Sequence, residues 1–126
     1  MAKILVVDDD PVILRLLRFN LELEGHEVRE AIDGHLALEL ARGGWPELVL
    51  LDIMLPGMDG YTVCDELRQD PATGSLPVVM VSARAQAEDV ARGHEVGASA
   101  YVTKPFDPIE LVELVDSLLA GGRPPT

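Results

Sequence analysis

The chain has 126 residues, of which 48% are hydrophobic and 4% are aromatic, and its formal net charge is −12. This length suits a single domain with an aliphatic core. The negative charge argues against direct binding of nucleic acid by this domain, which would need a positive surface. No apolar run is long enough to span a membrane, and no signal peptide is recognisable. The single cysteine, Cys64, excludes an internal disulfide and suits a reducing compartment. We therefore expect a soluble, cytoplasmic protein in which Cys64 is a small core side chain.

Short apolar runs typical of strands alternate with helical patterns along the chain. The first run ends at Asp8-Asp9-Asp10, and Asp10 followed by Pro11 predicts a capped helix start. Glycines and other turn residues close the helical patterns. The predicted strands span residues 3–7, 26–31, 47–52, 78–81 and 100–103, and the predicted helices span residues 11–24, 34–42, 61–69, 86–96 and 108–119.

This strict alternation predicts an α/β fold in three layers. A parallel five-stranded sheet would carry helices on both faces, joined by right-handed crossovers. The weakly apolar second strand is expected at an edge of the sheet. Residues 1–120 would form this domain. Residues 121–126 are rich in glycine and proline with little to bury, so we expect a linker or a disordered tail there.

Chemically active residues follow the strands at their carboxyl ends. Asp8 and Asp9 follow the first strand, Asp52 the third, Ser82 the fourth and Lys104 the fifth. Parallel strands bring their carboxyl ends to one edge of the sheet, where ligands bind in such folds, so these side chains are expected to share a cleft. Each one alone has a plain explanation as a helix cap, a turn residue or a surface lysine. Their joint placement favours a functional site.

The residue types in this cleft suit phosphoryl transfer. Three crowded carboxylates raise one another's pKa unless a cation neutralises them, and Mg²⁺ prefers oxygen ligands from a few carboxylates. Lys104 adds a positive charge, and Ser82 adds a hydroxyl donor. Asp52 can act as a nucleophile and form an aspartyl-phosphate. That reaction needs mainly positioning and charge neutralisation.

Four segments together resemble the receiver domain of two-component response regulators. They are Asp8-Asp9, residues 52–60 (Asp-Ile-Met-Leu-Pro-Gly-Met-Asp-Gly), Ser82-Ala83 and residues 101–106 (Tyr-Val-Thr-Lys-Pro-Phe). The resemblance runs from Lys3 to Leu119 and implies a flavodoxin-like (βα)5 fold with strand order 2-1-3-4-5. It implies that Asp52 accepts a phosphoryl group from the phosphohistidine of a sensor histidine kinase or phosphotransfer protein. The domain would then be a signalling phosphoacceptor, which supports only its own phosphorylation and dephosphorylation.

The same resemblance implies a ligand set for Mg²⁺. Asp9 and Asp52 would bind the ion directly, together with the backbone carbonyl of Met54. Asp8 would bind it at least through water. Lys104 would pair with the phosphoryl oxygens.

The resemblance also implies a switch. Ser82 and Tyr101 would form a switch pair, in which Ser82 moves toward the phosphoryl group and Tyr101 turns inward. The peptide bond between Lys104 and Pro105 would be cis. The face formed by the fourth helix, the fifth strand and the fifth helix would then act on an output domain or effector protein. The fourth helix, with few large aliphatic side chains and with Gly93 inside it, is expected to be the mobile element.

The last helix carries a second apolar pattern besides its core-facing stripe. Ile109, Val112 and Leu119 fall on another side of this helix. We expect them to form an exposed strip for a partner or a homodimer. On this hypothesis, Val112→Glu weakens association without unfolding the domain.

Three other functions remain open at this point. A phosphohydrolase of the haloacid dehalogenase type also uses a strand-end aspartate with Mg²⁺, but it needs a second aspartate where this chain has Met54. A flavodoxin-like nucleotide binder would meet repulsion between phosphate and Asp8-Asp9-Asp10. An unphosphorylated protein-binding scaffold would keep the fold without the chemistry. The histidines lack the spacing of metal ligands and are expected at the surface or in satisfied packing: His26, His35 and His94.

Overall fold

The computed structural model describes residues 1–121, and residues 122–126 lie outside the described part of the chain. Strands and helices alternate along it with bounds within one residue of those predicted. The elements are β1 (Lys3–Val7), α1 (Pro11–Leu23), β2 (Glu27–Ala31), α2 (Gly34–Arg42), β3 (Leu48–Leu51), α3 (Gly60–Gln69), β4 (Val78–Ser82), α4 (Ala87–Glu95), β5 (Ala100–Thr103) and α5 (Pro108–Leu119). The tail predicted at 121–126 falls outside the described residues, apart from Gly121.

The strands form one parallel sheet in the order β2-β1-β3-β4-β5. The inner strands β3 and β4 are buried along their whole length, whereas β2 at the edge exposes most of its residues. Hydrophobic side chains divide into two clusters, one on each face of the sheet. Ile4 and Val6 pack with α1 and α5, and Leu5 and Val7 pack with α2 and α3. The predicted three-layer α/β fold is therefore confirmed, and it places every strand's carboxyl end along one edge.

Aspartate side chains cap four of the helices. The Asp10 carboxylate accepts a hydrogen bond from the backbone N–H of Val12 at 2.9 Å. Asp33, Asp59 and Asp107 cap α2, α3 and α5 in the same manner. Because Asp10 satisfies the start of α1, the two aspartates before it are not required as its cap.

Only some of the leucines of α1 face the core. The structure buries Leu14, Leu17 and Leu21, and it leaves Leu16 37% exposed. Leucines occur on several sides of this helix, so the periodicity alone did not identify the side that faces the sheet.

The exposed strip predicted on α5 is wrong at Val112. Val112 is only 8% exposed and belongs to the core cluster, and Leu119 packs against the same cluster. Ile109 alone of the three is well exposed, at 68%. The cause is that α5 packs against α1 as well as against the sheet, so a wider arc of this helix is covered.

The histidines lie where packing and the surface were expected. His26 is buried, and its Nδ1 accepts a hydrogen bond from the backbone N–H of Ala2 at 3.0 Å. The ring proton therefore belongs on Nε2, which lies 2.8 Å from Oδ1 of Asp116. His35 and His94 are exposed.

Candidate functional site

Four charged side chains from three different strand ends converge at the carboxyl edge of the sheet. Asp8 and Asp9 follow β1, Asp52 follows β3 and Lys104 follows β5. Lys104 Nζ lies 2.7 Å from Asp8 Oδ2 and 3.5 Å from Asp52 Oδ2. Residues separated by up to 96 positions in the chain thus meet because parallel strands end at the same edge.

Ser82 lies at the same edge, as the last residue of β4, and is fully buried. Its backbone carbonyl accepts a hydrogen bond from the Lys104 N–H at 2.8 Å. Its hydroxyl oxygen accepts a hydrogen bond from the backbone N–H of Arg84 at 3.2 Å. Ser82 is therefore held by main-chain contacts to the two loops that follow β4 and β5.

The three carboxylates fit a site for a hard divalent cation. One carboxylate oxygen from each of Asp8, Asp9 and Asp52 lies within 4.8 Å of the others. Asp8 and Asp52 are buried, whereas Asp9 is exposed, so the cluster opens to solvent on one side. Oxygen ligands with room for several waters are the donor set that Mg²⁺ prefers.

The electrostatics of Asp52 reflect this crowding. Burial raises the pKa of Asp52, and the charge of Asp8 raises it further, whereas the Lys104 charge and the Met54 N–H act in the opposite direction. That N–H donates to Asp52 Oδ1 at 3.3 Å. The pKa of Lys104 is lowered by burial, but the hydrogen bond to Asp8 and the charge of Asp52 raise it above the ordinary value. Three carboxylates thus face one ammonium group, and added positive charge would relieve the excess.

Gly60, the last residue of the 52–60 motif, brings the loop after β3 against the end of that strand. The Gly60 N–H donates to the Ile53 carbonyl at 2.8 Å. A Cβ atom on Gly60 would lie 2.7 Å from the Ile53 Cα, which is closer than real contacts allow. Gly60 therefore lets α3 start directly against the residues that follow Asp52.

Tyr101 and Ser82 both form hydrogen bonds with the backbone of Arg84. The Tyr101 hydroxyl donates to the Arg84 carbonyl at 2.7 Å, and Ser82 accepts from the Arg84 N–H. The ring of Tyr101 rests on Gly93 of α4, where a Cβ atom would lie 2.9 Å from Cδ2 of the ring. Burial, followed by the nearby Tyr61 and Asp89, raises the pKa of Tyr101 to about 12, so its phenol is neutral.

A groove of about 480 Å³ lies beside the carboxylates and is lined by the loop after β3, by Arg84 and by Arg92 of α4. Asp9 and Met54 also contribute to its lining. The Arg92 guanidinium lies 4.3 Å from the centroid of the Tyr61 ring. Nothing in the sequence indicates that Arg92 lines this groove, because no motif connects α3 with α4.

The predicted cis peptide bond lies at the same edge of the sheet. Lys104–Pro105 is cis, and it directly follows β5. Met54, two residues after Asp52, is 55% exposed. It stands where a hydrolase of the haloacid dehalogenase type would need a second aspartate.

Comparison with known proteins assigns this combination of sheet order, acidic cluster and lysine to one class of signalling domain. Residues 4–116 match the response regulator receiver domain, and the chain belongs to that family. It is 45% identical over 119 residues to the DNA-binding dual master transcriptional regulator RpaA of Synechocystis, covering 94% of this chain and 49% of RpaA. It is 47% identical over 117 residues to the response regulator PleD of Caulobacter vibrioides, covering 93% of this chain and 26% of PleD.

A solved structure agrees with this assignment. The crystal structure of a protein assigned as a response regulator in Chloroflexus aurantiacus superposes with a TM-score of 0.90 at 40% identity, covering 94% of this chain and 98% of that chain. The predicted family and strand order are confirmed. The chain spans about half the length of RpaA and about a quarter of PleD. Within residues 1–121, no helix combines the length and apolar character needed to cross a membrane.

Proposed function

We propose that Asp52 accepts a phosphoryl group from the phosphohistidine of a sensor histidine kinase or phosphotransfer protein. The observation that carries this proposal is the position of Lys104 Nζ, 2.7 Å from Asp8 and 3.5 Å from Asp52, beside a crowded acidic cluster. An ammonium group held there can pair with the oxygens of an incoming phosphoryl group. Family membership supports the same assignment.

In this mechanism an ionised Asp52 oxygen attacks phosphorus. The new phosphorus–oxygen bond forms as the phosphorus–nitrogen bond of the donor histidine breaks, and the electron pair of that bond remains on the imidazole nitrogen. Lys104 balances charge on the phosphoryl oxygens, and the Ser82 hydroxyl donates to one of them. The attacking carboxylate must be deprotonated. The raised pKa of Asp52 therefore raises the pH below which phosphorylation becomes slow.

Asp8, Asp9 and Asp52, with the backbone carbonyl of Met54, would hold Mg²⁺, with Asp8 acting at least through water. When bound, the ion supplies positive charge that the crowded carboxylates and the phosphoryl oxygens both need. The fit rests on the grouping of three carboxylate oxygens within 4.8 Å.

We propose that Ser82 and Tyr101 are coupled through Arg84. The Ser82 hydroxyl turns away from the Arg84 N–H and donates to the phosphoryl group. Arg84 thereby loses one of its two hydrogen bonds to Ser82 and Tyr101. Tyr101 then leaves the Arg84 carbonyl and turns inward. The ring lies on Gly93, so its movement alters the packing of α4. Phosphorylation would bias two arrangements that already exist.

The α4–β5–α5 face would carry the signal to an output domain or effector protein. A groove of about 700 Å³ runs along β5 and α5 on this face, lined by Tyr101, Phe106 and Leu114 among others. Residues 1–120 would be the receiver domain, and residues 121–126 would be a linker or tail. We expect no direct contact of this domain with nucleic acid. A cytoplasmic location fits the free thiol of Cys64.

Two alternatives are less well supported. A haloacid-dehalogenase-type hydrolase needs an acid two residues after the nucleophile, where this chain has the exposed Met54. An unphosphorylated scaffold would not need a lysine paired with two buried carboxylates, an arrangement that is costly to maintain. We propose that the domain supports only its own phosphorylation and dephosphorylation.

Phosphorylation of Asp52 can be tested by treating the protein with acetyl phosphate and Mg²⁺ and measuring the intact mass. We expect a mass gain of one phosphoryl group. This gain should be absent when the metal is chelated before acetyl phosphate is added, and absent in Asp52→Asn. Asp59→Asn is the matched control, because Asp59 is exposed in the same loop and asparagine caps helices as well as aspartate does.

On the same samples, amide hydrogen exchange of α4 is expected to change with phosphorylation while that of β1 does not. A mass gain that persists in Asp52→Asn would assign the phosphoryl group to another residue and contradict the proposal. Unchanged exchange in α4 would refute the proposed switch alone.

A further inference from the structure

Helix α1 is apolar on two opposite sides. Leu14, Leu17 and Leu21 face the core and are buried. On the other side, Val12, Phe19 and Leu23 are 63–68% exposed, and Leu16 is 37% exposed. An amphipathic helix of a globular protein normally presents polar residues there. The core of the domain therefore does not account for the outer apolar residues.

The four outer residues form one continuous stripe. Their spacing of four, three and four positions, at 3.6 residues per turn, places them within a sector of roughly 60° along three turns. This is the spacing of the apolar seam of a coiled coil. The stripe runs from Val12 at the start of α1 to Leu23, its last residue.

The residues beside the stripe make it self-complementary. One flank carries Arg15 and Glu22, opposite charges seven positions apart, and the other carries the uncharged Ile13 and Asn20. In an antiparallel pair of helices each flank meets its own copy, so Arg15 of one chain would face Glu22 of the other, twice. A parallel pair would instead set the charged flank against Ile13 and Asn20.

The ion pairs within one chain leave Arg15 and Glu22 available to contact a second copy. Among the described residues, Arg15 makes no ion pair. Glu22 lies 3.7 Å from Arg18, and both of these side chains are well exposed, so that contact is weak. Arg18 also lies 3.3 Å from Glu30, so it keeps a partner if Glu22 turns outward.

We propose that the outer face of α1 is a self-association surface, through which two copies of this chain pair with antiparallel α1 helices. The stripe Val12–Leu16–Phe19–Leu23 forms the seam, and the two reciprocal Arg15–Glu22 pairs set its direction. The contact belongs to one helix per chain, so its area is small and the dimer is weak and concentration-dependent. It leaves the α4–β5–α5 face of each copy free, and it does not depend on phosphorylation of Asp52.

The test is sedimentation velocity of the whole chain over a range from micromolar to millimolar, at about 0.15 M salt to screen the net charge. We expect a reversible monomer–dimer equilibrium in the wild type and a loss of at least ~10-fold in dimer affinity in Phe19→Asp, because a buried charge opposes the seam. Ile109→Asp is the matched control: Ile109 is as exposed on α5 as Phe19 is on α1, and this variant should associate like the wild type.

Charge reversal tests the antiparallel direction. Arg15→Glu and Glu22→Arg should each weaken the dimer by about 3- to 10-fold, since both reciprocal pairs then become repulsive. The double variant has the net charge of the wild type and should recover its affinity. Circular dichroism checks that α1 keeps its helix in every variant.

A monomer at every concentration overturns the proposal, and so does a dimer that Phe19→Asp leaves unchanged. Failure of the double variant to recover overturns the antiparallel arrangement. If the wild type stays monomeric while Phe19→Asp slows phosphorylation by a phosphohistidine protein, the stripe belongs to the phosphodonor and self-association is excluded.

Discussion

Asp52 is the residue at which burial and charge compete most directly. Its carboxylate lies near both Asp8 and Lys104, and the same lysine is closer to Asp8 than to Asp52. The charge of the Asp52 carboxylate is therefore only partly compensated in the free protein. Incomplete compensation suits the proposed binding of a metal ion and a phosphoryl group at Asp52, and it costs stability when neither is bound.

The cost predicts how stability depends on pH. The pKa of Asp52 is raised by burial and by the charge of Asp8. A carboxyl group whose pKa is higher in the folded chain favours folding when protonated, and that contribution is lost as the pH rises through the folded-state pKa. At neutral pH the ionised Asp52 therefore destabilises the metal-free domain.

We expect Asp52→Asn to raise the Tm of the metal-free protein at pH 7 by roughly 4 °C or more. This gain in Tm should shrink as the pH falls and the wild-type carboxyl becomes protonated. Mg²⁺ should also reduce the difference in Tm, because it stabilises the wild type. Differential scanning calorimetry measures both. Asp59→Asn, at an exposed carboxylate, should show no comparable gain. An unchanged or lower Tm in Asp52→Asn would contradict this account of the site.

At the scale of elements, α4 differs from the other helices. Gly93 is its only buried residue. The sequence suggested that Gly93 merely weakens the helix, but its position explains why a glycine stands there. The Tyr101 ring and the Met80 sulfur occupy the space that a Cβ atom would take, at 2.9 and 3.1 Å. The helix that is least anchored thus contacts the proposed switch residue directly.

We expect Gly93→Ala to lower the free energy of unfolding by about 1 kcal/mol, because overpacking against Tyr101 and Met80 outweighs the roughly 1 kcal/mol gain in helix propensity. Urea denaturation measures this change. Gly43→Ala is the control, since a Cβ atom there meets nothing closer than 3.4 Å and its φ is −70°. Gly43→Ala should be neutral or stabilising. A Gly93→Ala protein at least as stable as the wild type would show that the ring yields without cost.

At the scale of the whole molecule, one cluster joins α1, α5 and a face of the sheet. Val112 lies inside this cluster and Ile109 lies outside it, although the two are three residues apart on one helix. His26 adds a polar tie between the start of β2 and Asp116 on the same helix. The helix that leads toward residues 122–126 is thus anchored to the domain along its length.

This packing predicts opposite outcomes for the same substitution at two sites. Val112→Glu should destabilise the domain by roughly 3 kcal/mol or more, because an unpaired carboxylate would enter the core. Ile109→Glu should change stability by less than about 0.5 kcal/mol. Urea denaturation of both variants compares them directly. Equal stabilities would place Val112 at the surface, against the structure.

Much of the site could be predicted because its residues follow strands that are easy to recognise. Asp8, Asp52 and Ser82 each end or follow a buried apolar run, and Lys104 follows the short strand β5. The strand alternation alone brings such ends to one edge. The partners within that edge could not be predicted. Nothing in the order of residues indicates that Lys104 lies closer to Asp8 than to Asp52, since side-chain distances depend on how the strands twist and pack.

The sequence by itself determined the succession of strands and helices, the Asp10 cap of the first helix and the identity of the acidic edge, because periodicity and capping act over a few neighbouring residues. Only the tertiary structure decided which apolar residues are covered: Val112 is buried in the cluster that joins α1, α5 and the sheet, whereas Leu16 and Phe19 face outward. It also decided that Ser82 and Tyr101 both hold Arg84. Burial and hydrogen bonding between distant segments arise from how whole elements pack, and no local pattern records that packing.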